Sequence, residues 1–158
     1  MPQAPLDAAA VRTSGLLIRP ASAADLPTLA ALLEREGLLV SDLGRSRPQF
    51  IVACAGVDLV GAGALELYAS AALLRSLFVA RPWRNRGLGH RLVKALERRA
   101  RSAGVREVVL LTQTASAFFS QLDYRVIERA QAPFAVQLSE EFATLCPASA
   151  LCMAKMLR

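Results

Sequence analysis

The 158-residue sequence has one histidine, His90, only three cysteines, and aromatics amounting to 6%. Cys54, Cys146 and Cys152 are odd in number and contain no CxxC pair, which excludes a disulfide framework. A lone histidine and the lack of close cysteine spacing leave no zinc site, and no metal is expected. Cys146 and Cys152 are near enough in sequence for a soft metalloid to bridge them, but buried inert thiols are the plainer expectation. No apolar run reaches the roughly 18 residues of a membrane span. Met1 to Ser14 lacks a basic start followed by an apolar stretch, so it reads as a flexible tail (1–14) on a cytoplasmic protein. With 54% hydrophobic and 20% charged residues, the remaining 15–158 can fold as one domain.

Charge is where the sequence becomes informative. The net charge is +6, and nine basic residues lie between Arg81 and Glu107 against only Glu97 and Glu107. This one segment carries the excess, which invites an anionic partner: a phosphorylated cofactor or nucleic acid. A solvated helix face would give a similar count. Interleaved aromatics and a nucleic-acid-binding motif are missing, so no nucleic-acid partner is expected.

The periodicities outline a mixed α/β (α+β) chain. Leu16 to Arg19 reads as a strand, and Ser22-Ala-Ala-Asp25 fits a capping box for a helix ending at Gly37, with Asp25 an alternative cap. Leu38 to Pro48 looks irregular. Phe50–Ala55, Val57–Tyr68 and Ala71–Val79 suggest an antiparallel meander. A helix starts near Gly87, with Leu88, Leu92, Leu96 and Ala100 on one stripe, and Gly104 closes it. Val105–Thr112 reads as a strand, Ala115–Leu122 as a short helix, Tyr124–Arg129 as a strand, Ser139–Leu145 as helical and Ala150–Leu157 as a last strand.

The chemistry concentrates where the third meander strand enters the basic helix, at Arg84-Asn85-Arg86-Gly87-Leu88-Gly89-His90. Glycines let backbone approach phosphate oxygens, and first-turn N–H groups carry the positive end of the helix dipole. Arg84 and Arg86 can add charge-assisted bonds. The loop lacks the Lys-Ser/Thr of a P-loop and the third glycine of a dinucleotide fingerprint, so a diphosphate suits it better than a nucleoside triphosphate.

Arg84-Asn-Arg-Gly-Leu-Gly89, preceded by Leu77-Phe-Val79, resembles the (Gln or Arg)-x-x-Gly-x-(Gly or Ala) motif of the GNAT superfamily of N-acetyltransferases. The resemblance continues through Val108–Thr112 and Ala117–Tyr124. It implies a single domain with a mostly antiparallel central sheet, flanking helices, and fourth and fifth strands splayed apart to admit acetyl-CoA. By that similarity, backbone at Leu77, Phe78 and Val79 would bind the pantetheine arm, and N–H groups from Arg84 to His90 the pyrophosphate. Thr112 falls where the family often has a cofactor-side asparagine. Members often dimerise, which leaves a homodimer open. Gly37–Leu43, Leu74–Leu77 and Glu141–Ala150, with its Leu-Cys-Pro-x-Ser-Ala segment, are similar to the branch associated with arsenic resistance. That implies a small amino-acid-like acceptor, an arsenical or phosphinic glutamate analogue among the candidates; the alternatives are a protein N-terminus or lysine as acceptor, or a non-catalytic acetyl-CoA-binding sensor module.

Amine acetylation needs a base, an oxyanion site and a proton for the leaving thiolate. A backbone N–H near Val79 is a candidate oxyanion donor. Glu66 is the favoured base, acting through water, against the alternative of an ordinary exposed strand residue. Glu34 and Glu36 are rivals. Phe119 stands where many members have a tyrosine acid, and Asp123 where a glycine is usual, which leaves Tyr124, Ser116, water or an unassisted thiolate. Arg75, taken to share alternation with Leu77 and Val79, is the candidate cation for an acceptor carboxylate, with Arg45 and Arg47 as alternatives. Ser76, placed on the opposite face unless a bulge intervenes, and Ser149 are further acceptor candidates.

Overall fold

A computed structural model of the chain describes residues 11–13, 15–145 and 147–158. In chain order it holds strands β1 (Val11–Thr13) and β2 (Leu16–Pro20), helices α1 (Leu26–Arg35) and α2 (Leu43–Ser46), then β3 (Gln49–Ala55), β4 (Asp58–Tyr68) and β5 (Ala71–Val79). Helix α3 (Leu88–Ser102), β6 (Glu107–Thr112), α4 (Ser116–Ser120), β7 (Arg125–Ile127), α5 (Phe134–Gln137) and β8 (Leu151–Met156) complete it. The strand order is β1-β2-β3-β4-β5-β6-β8-β7. The β1–β2, β2–β3, β6–β8 and β7–β8 pairs are antiparallel, and β5–β6 is parallel.

Two expectations change. Val11–Thr13 is not loose tail: Gly15, at φ +81°, turns the chain so that Val11 pairs with Ile18 and Thr13 with Leu16. The expected helix over 139–145 is instead α5 followed by a single π-helical turn at Glu141–Leu145, because Pro133 starts α5 and the Ser139 hydroxyl accepts the Phe142 N–H at 3.2 Å. The Ser22/Asp25 alternative resolves in stages. Ser22 caps a 3₁₀ turn at Ala23–Asp25 by capping box, and Asp25 then stands at the N-cap of α1. A guanidinium fork from Arg19, at 2.7 and 3.0 Å, fixes the Asp25 carboxylate.

The parallel β5–β6 ladder joins Ala71–Leu73 to Glu107–Val109, short of the ends of both strands. With β1 added, these are the fifth and sixth strands. The described residues fall into two compact units, those within 11–40, 49–64 and 76–96 forming one, and those within 41–48, 65–75 and 97–158 the other.

In the first unit, β4 meets α3 at two glycines. A Cβ on Gly63 would lie 2.7 Å from Leu96 Cδ1 and 3.1 Å from Leu77 Cδ1; one on Gly61 would lie 3.1 Å from both Leu92 Cδ1 and the Phe78 carbonyl. The buried Leu88–Leu92–Leu96 stripe therefore packs onto a strand stripped of side chains. In the second unit, Ala71, Leu73, Val109, Val136, Phe142, Cys152 and Ala154 form a core with Tyr68, Leu111 and Ile127 at its margin.

Gly63→Ala should cost about 1–2 kcal/mol in urea unfolding, since Leu96 is buried and must shift to admit a methyl group. Asp123 predicts the opposite effect. It is exposed and held at φ +72°, so the position where the resemblance implies a glycine does take the left-handed region. Asp123→Gly should raise stability by roughly 0.5–1 kcal/mol, read as an increase in Tm.

Candidate active site

The first unit holds the basic loop. After β5, Arg81–Trp83 forms a 3₁₀ turn, and Asn85 (φ +61°) and Gly87 (φ +80°) both take left-handed backbone before α3 begins at Leu88. The Arg91 N–H reaches back to the Gly87 carbonyl at 3.1 Å. Leu88 and Gly89 therefore precede any i−4 acceptor in the helix, as anion-binding amides do. A Cβ on Gly87 would meet nothing within 4 Å, so the loop's approach side is open there. Arg84 stays exposed but braces the loop, donating from Nε to the Val79 carbonyl (2.8 Å) and from Nη2 to Glu36 (3.0 Å). Arg86 lies over the Trp83 ring at 5.2 Å. Arg91 Nη2 is buried with no hydrogen-bond partner, a cationic nitrogen without an anion.

The second unit holds a buried ionic cluster. Arg75 grips Asp42 with both terminal nitrogens, Nη2–Oδ1 being 2.8 Å, and donates to Glu66 Oε2 at 2.7 Å. Its Nε stands 3.6 Å from Glu141 Oε1, and the Tyr68 hydroxyl donates to Glu66 Oε1. Side-chain exposure is 0% for Arg75 and Asp42, 3% for Glu66 and 9% for Glu141. Burial alone would push the guanidinium down, but Asp42, Glu141 and Glu66 outweigh it and hold Arg75 charged. Burial likewise opposes ionisation of Asp42, and Arg75 overcomes it, leaving Asp42 below the usual carboxylate range. Glu141 goes the other way. Burial pushes it up to about 7, against the pull of Arg75 and with Glu66 and Asp42 adding to the rise.

This cluster removes one alternative and corrects one reading. Glu66 is buried, which sets aside the ordinary exposed strand residue weighed against the base. Arg75 does not share a face with Leu77: Ser76 has φ +59°, a bulge conformation that resets the alternation. Gly63, which faces Leu77, and Glu66, which binds Arg75, lie an odd number of residues apart on β4 and thus on opposite faces.

The other candidates are placed as follows. Tyr124 is buried, and its hydroxyl donates to Glu97 at 3.0 Å while Lys155 Nζ holds the same carboxylate at 3.1 Å. Burial and the Glu97 charge raise the phenol, so its proton is committed there. Phe119 packs edge-on against Tyr124 at 5.5 Å. Thr112 Oγ1 accepts the Ala115 N–H at 3.0 Å at the end of β6, and Ser149 is exposed and accepts from Gln113 Nε2 at 3.4 Å. Arg45 pairs with Glu140, while Arg47 ends α2 in left-handed backbone. Cys54 and Cys152 are free and buried, with the Cys152 thiol pushed up to about 11 by burial; Cys146 lies outside the described residues. Among the described residues no group of three or more His, Cys, Asp or Glu is placed to hold a metal ion, and no helix is long and apolar enough to cross a membrane.

Asp42, Tyr68 and Glu141 were not singled out from the sequence. Tyr68 follows Glu66 by two residues on one strand and so shares its face. Asp42 and Glu141 reach Arg75 from distant segments of the chain, and periodicity carries no signal of that kind.

The model of the acetyltransferase (GNAT) family matches residues 18–124, and the chain belongs to that family of N-acetyltransferases. An uncharacterised N-acetyltransferase of Chlorobaculum tepidum is 32% identical over 124 residues, covering 73% of this chain and 79% of the relative. N-alpha-acetyltransferase 80 of Mus musculus is 41% identical over 59 residues, but these are 37% of this chain and only 19% of that protein. In fold, the chain matches N-acetylglutamate synthase from Neisseria gonorrhoeae, complexed with coenzyme A and N-acetyl-glutamate, at TM-score 0.78 and 20% identity, over 94% of this chain and 36% of that one. A Mycobacterium tuberculosis protein solved with CoA and NLQ matches at TM-score 0.75 and 22% identity, over 89% and 99% of the two chains.

Removing the only cation seen in the cluster among the described residues should be severe. Arg75→Met strands three buried carboxylates and should cost about 3–5 kcal/mol of stability, measured by urea denaturation at neutral pH.

Proposed function

We propose that this chain transfers the acetyl group of acetyl-CoA to the amine of a small amino-acid-like acceptor, by direct attack in a ternary complex. The observation that carries the cofactor is the loop. Left-handed Asn85 and Gly87 deliver the chain into the first turn of α3, and Arg91 keeps a buried nitrogen unpartnered beside it in sequence. Backbone amides and arginine together suit a diphosphate. Leu77 to Val79 at the end of β5 would take the pantetheine arm, with Arg84 to His90 on the pyrophosphate. The CoA-bound fold neighbours support this reading.

The chemistry is addition to the thioester carbonyl. A C–N bond forms, an oxyanion develops that a backbone N–H near Val79 would stabilise, and the C–S bond then breaks. Of the two protons an ammonium acceptor loses, one ends on the CoA sulfur and the other leaves to solvent. Glu66 and Arg75 enter as members of the one buried cluster, while Ser76, Thr112 and Ser149 are secondary positions. Tyr124, bonded to Glu97, is assigned to packing rather than proton donation. The N-acetyl-glutamate bound by the Neisseria enzyme supports an amino-acid acceptor. The arsenic-resistance resemblance narrows it to arsenical or phosphinic analogues of glutamate. The short match to N-alpha-acetyltransferase 80 favours a second reading, acetylation of a protein N-terminus.

Release of CoA thiol from acetyl-CoA, across amino acids, phosphinic and arsonic glutamate analogues and short peptides, tests the proposal. Turnover confined to the amino-acid class is expected. Turnover with peptides alone would establish the second reading, and none with any acceptor would contradict both.

A further inference from the structure

The peptide between Val79 and Ala80 fixes which way the end of β5 faces. It is trans and planar, so the Val79 carbonyl points opposite to the Ala80 N–H. That N–H donates to the Val60 carbonyl on β4 at 2.8 Å. The Val79 carbonyl therefore projects from the edge of β5 turned away from β4, as a strand-edge acceptor does. A few residues later the chain has returned to this spot. The Trp83 N–H bonds the Ala80 carbonyl at 2.9 Å and the Arg84 N–H bonds the Arg81 carbonyl at 3.1 Å, and this 3₁₀ turn carries Arg84 back beside β5. Its Nε donates to the Val79 carbonyl at 2.8 Å, and its Nη2 donates at 3.0 Å to Glu36, the residue that ends α1. All of these residues belong to the first compact unit.

We propose that Arg84 is a latch on the β5 edge, one that exchanges the Val79 carbonyl and Glu36 for the diphosphate as the arm of coenzyme A enters. The inference rests on the cofactor reading above, in which Leu77–Val79 takes the pantetheine arm. An extended arm adds to a strand edge by donating its amide N–H groups to edge carbonyls. The Val79 carbonyl is such an acceptor, and a guanidinium already lies on it. Arg84 and an arm amide compete for that oxygen, so the arm seats fully only when Arg84 turns away. Turning away costs little. The Arg84 and Glu36 side chains are 43% and 31% exposed, and an ion pair that open to solvent contributes little. The released guanidinium also has a stronger partner on its own loop, because it directly precedes the left-handed residues Asn85 and Gly87 that lead into α3. A diphosphate held there offers charge-assisted, two-point bonds that a backbone carbonyl cannot. Arg84 thus acts oppositely on the two halves of the cofactor, hindering the neutral arm and helping the anionic end. A residue that only braced the loop would help both.

Binding of two fragments to the full chain, followed by NMR titration, tests the latch. Pantetheine carries the arm without phosphate, and ADP carries the diphosphate without the arm. Arg84→Ala should bind pantetheine about threefold to fivefold more tightly than the wild type, and ADP more weakly by about the same factor. Glu36→Gln keeps the guanidinium but removes one of its anchors, and should tighten ADP binding about twofold to fivefold. Both positions are exposed, so both variants should keep the wild-type Tm. Weaker binding of both fragments by Arg84→Ala, or an unchanged pantetheine affinity, would overturn the proposal and leave Arg84 as a brace. So would the absence of pantetheine binding to Arg84→Ala when CoA binds the wild type. Failure of the wild type to bind CoA itself would instead bring down the cofactor reading, and the latch with it.

Discussion

One backbone angle organises this molecule. Ser76 takes φ +59° within β5, and a side chain that has to sit there would elsewhere be glycine. An unbroken strand would put Arg75 and Leu77 on one face, and a guanidinium and a leucine would then compete for one environment. The kink separates them. Arg75 continues the face of Ala71 and Leu73 and ends among carboxylates, while Leu77 turns to the glycine-lined face of β4 against α3. One of the places where the chain passes from one compact unit to the other falls between Arg75 and Ser76. The parallel ladder with β6 stops at Leu73, three residues short of the kink.

The ionic cluster is a consequence of that geometry rather than a stabilising ornament. Burying four ionisable groups is costly, and their mutual attraction offsets this only when the geometry is well satisfied. Asp42 and Glu66 accept hydrogen bonds from Arg75, whereas Glu141 lies 3.6 Å from its Nε, and burial pushes that carboxyl up. Arg75 joins β5 to the segment before α2 and to the π-helical turn, positions far apart in sequence. A second buried group, Glu97 with Tyr124 and Lys155, is fully bonded by contrast.

Much of the fold was legible because it depends on local rules. The leucine stripe of α3, the glycine at 104 and the meander strands each follow from spacing, and the loop motif sits where strand becomes helix. Asp123 shows both sides of such reading. Its departure from glycine was visible in the sequence, whereas its left-handed backbone was not. What could not be read depends on tertiary placement. Strict alternation put Arg75 with Leu77, and only the Ser76 bulge undoes that. Glu66 could be read as the favoured base, but its burial could not, because that requires Arg75, Asp42 and Tyr68 together. Strand β8, the last in sequence, lies between β6 and β7, an order that no local pattern carries.

The central claim is that the end of β5 and the first turn of α3 receive coenzyme A. Amide hydrogen exchange, followed by mass spectrometry on the full chain with and without CoA, tests it most directly. The account predicts slowed exchange confined to peptides spanning Leu77–Val79 and Arg84–Gly89. Unchanged exchange in those peptides at saturating CoA, or protection concentrated elsewhere, would contradict it.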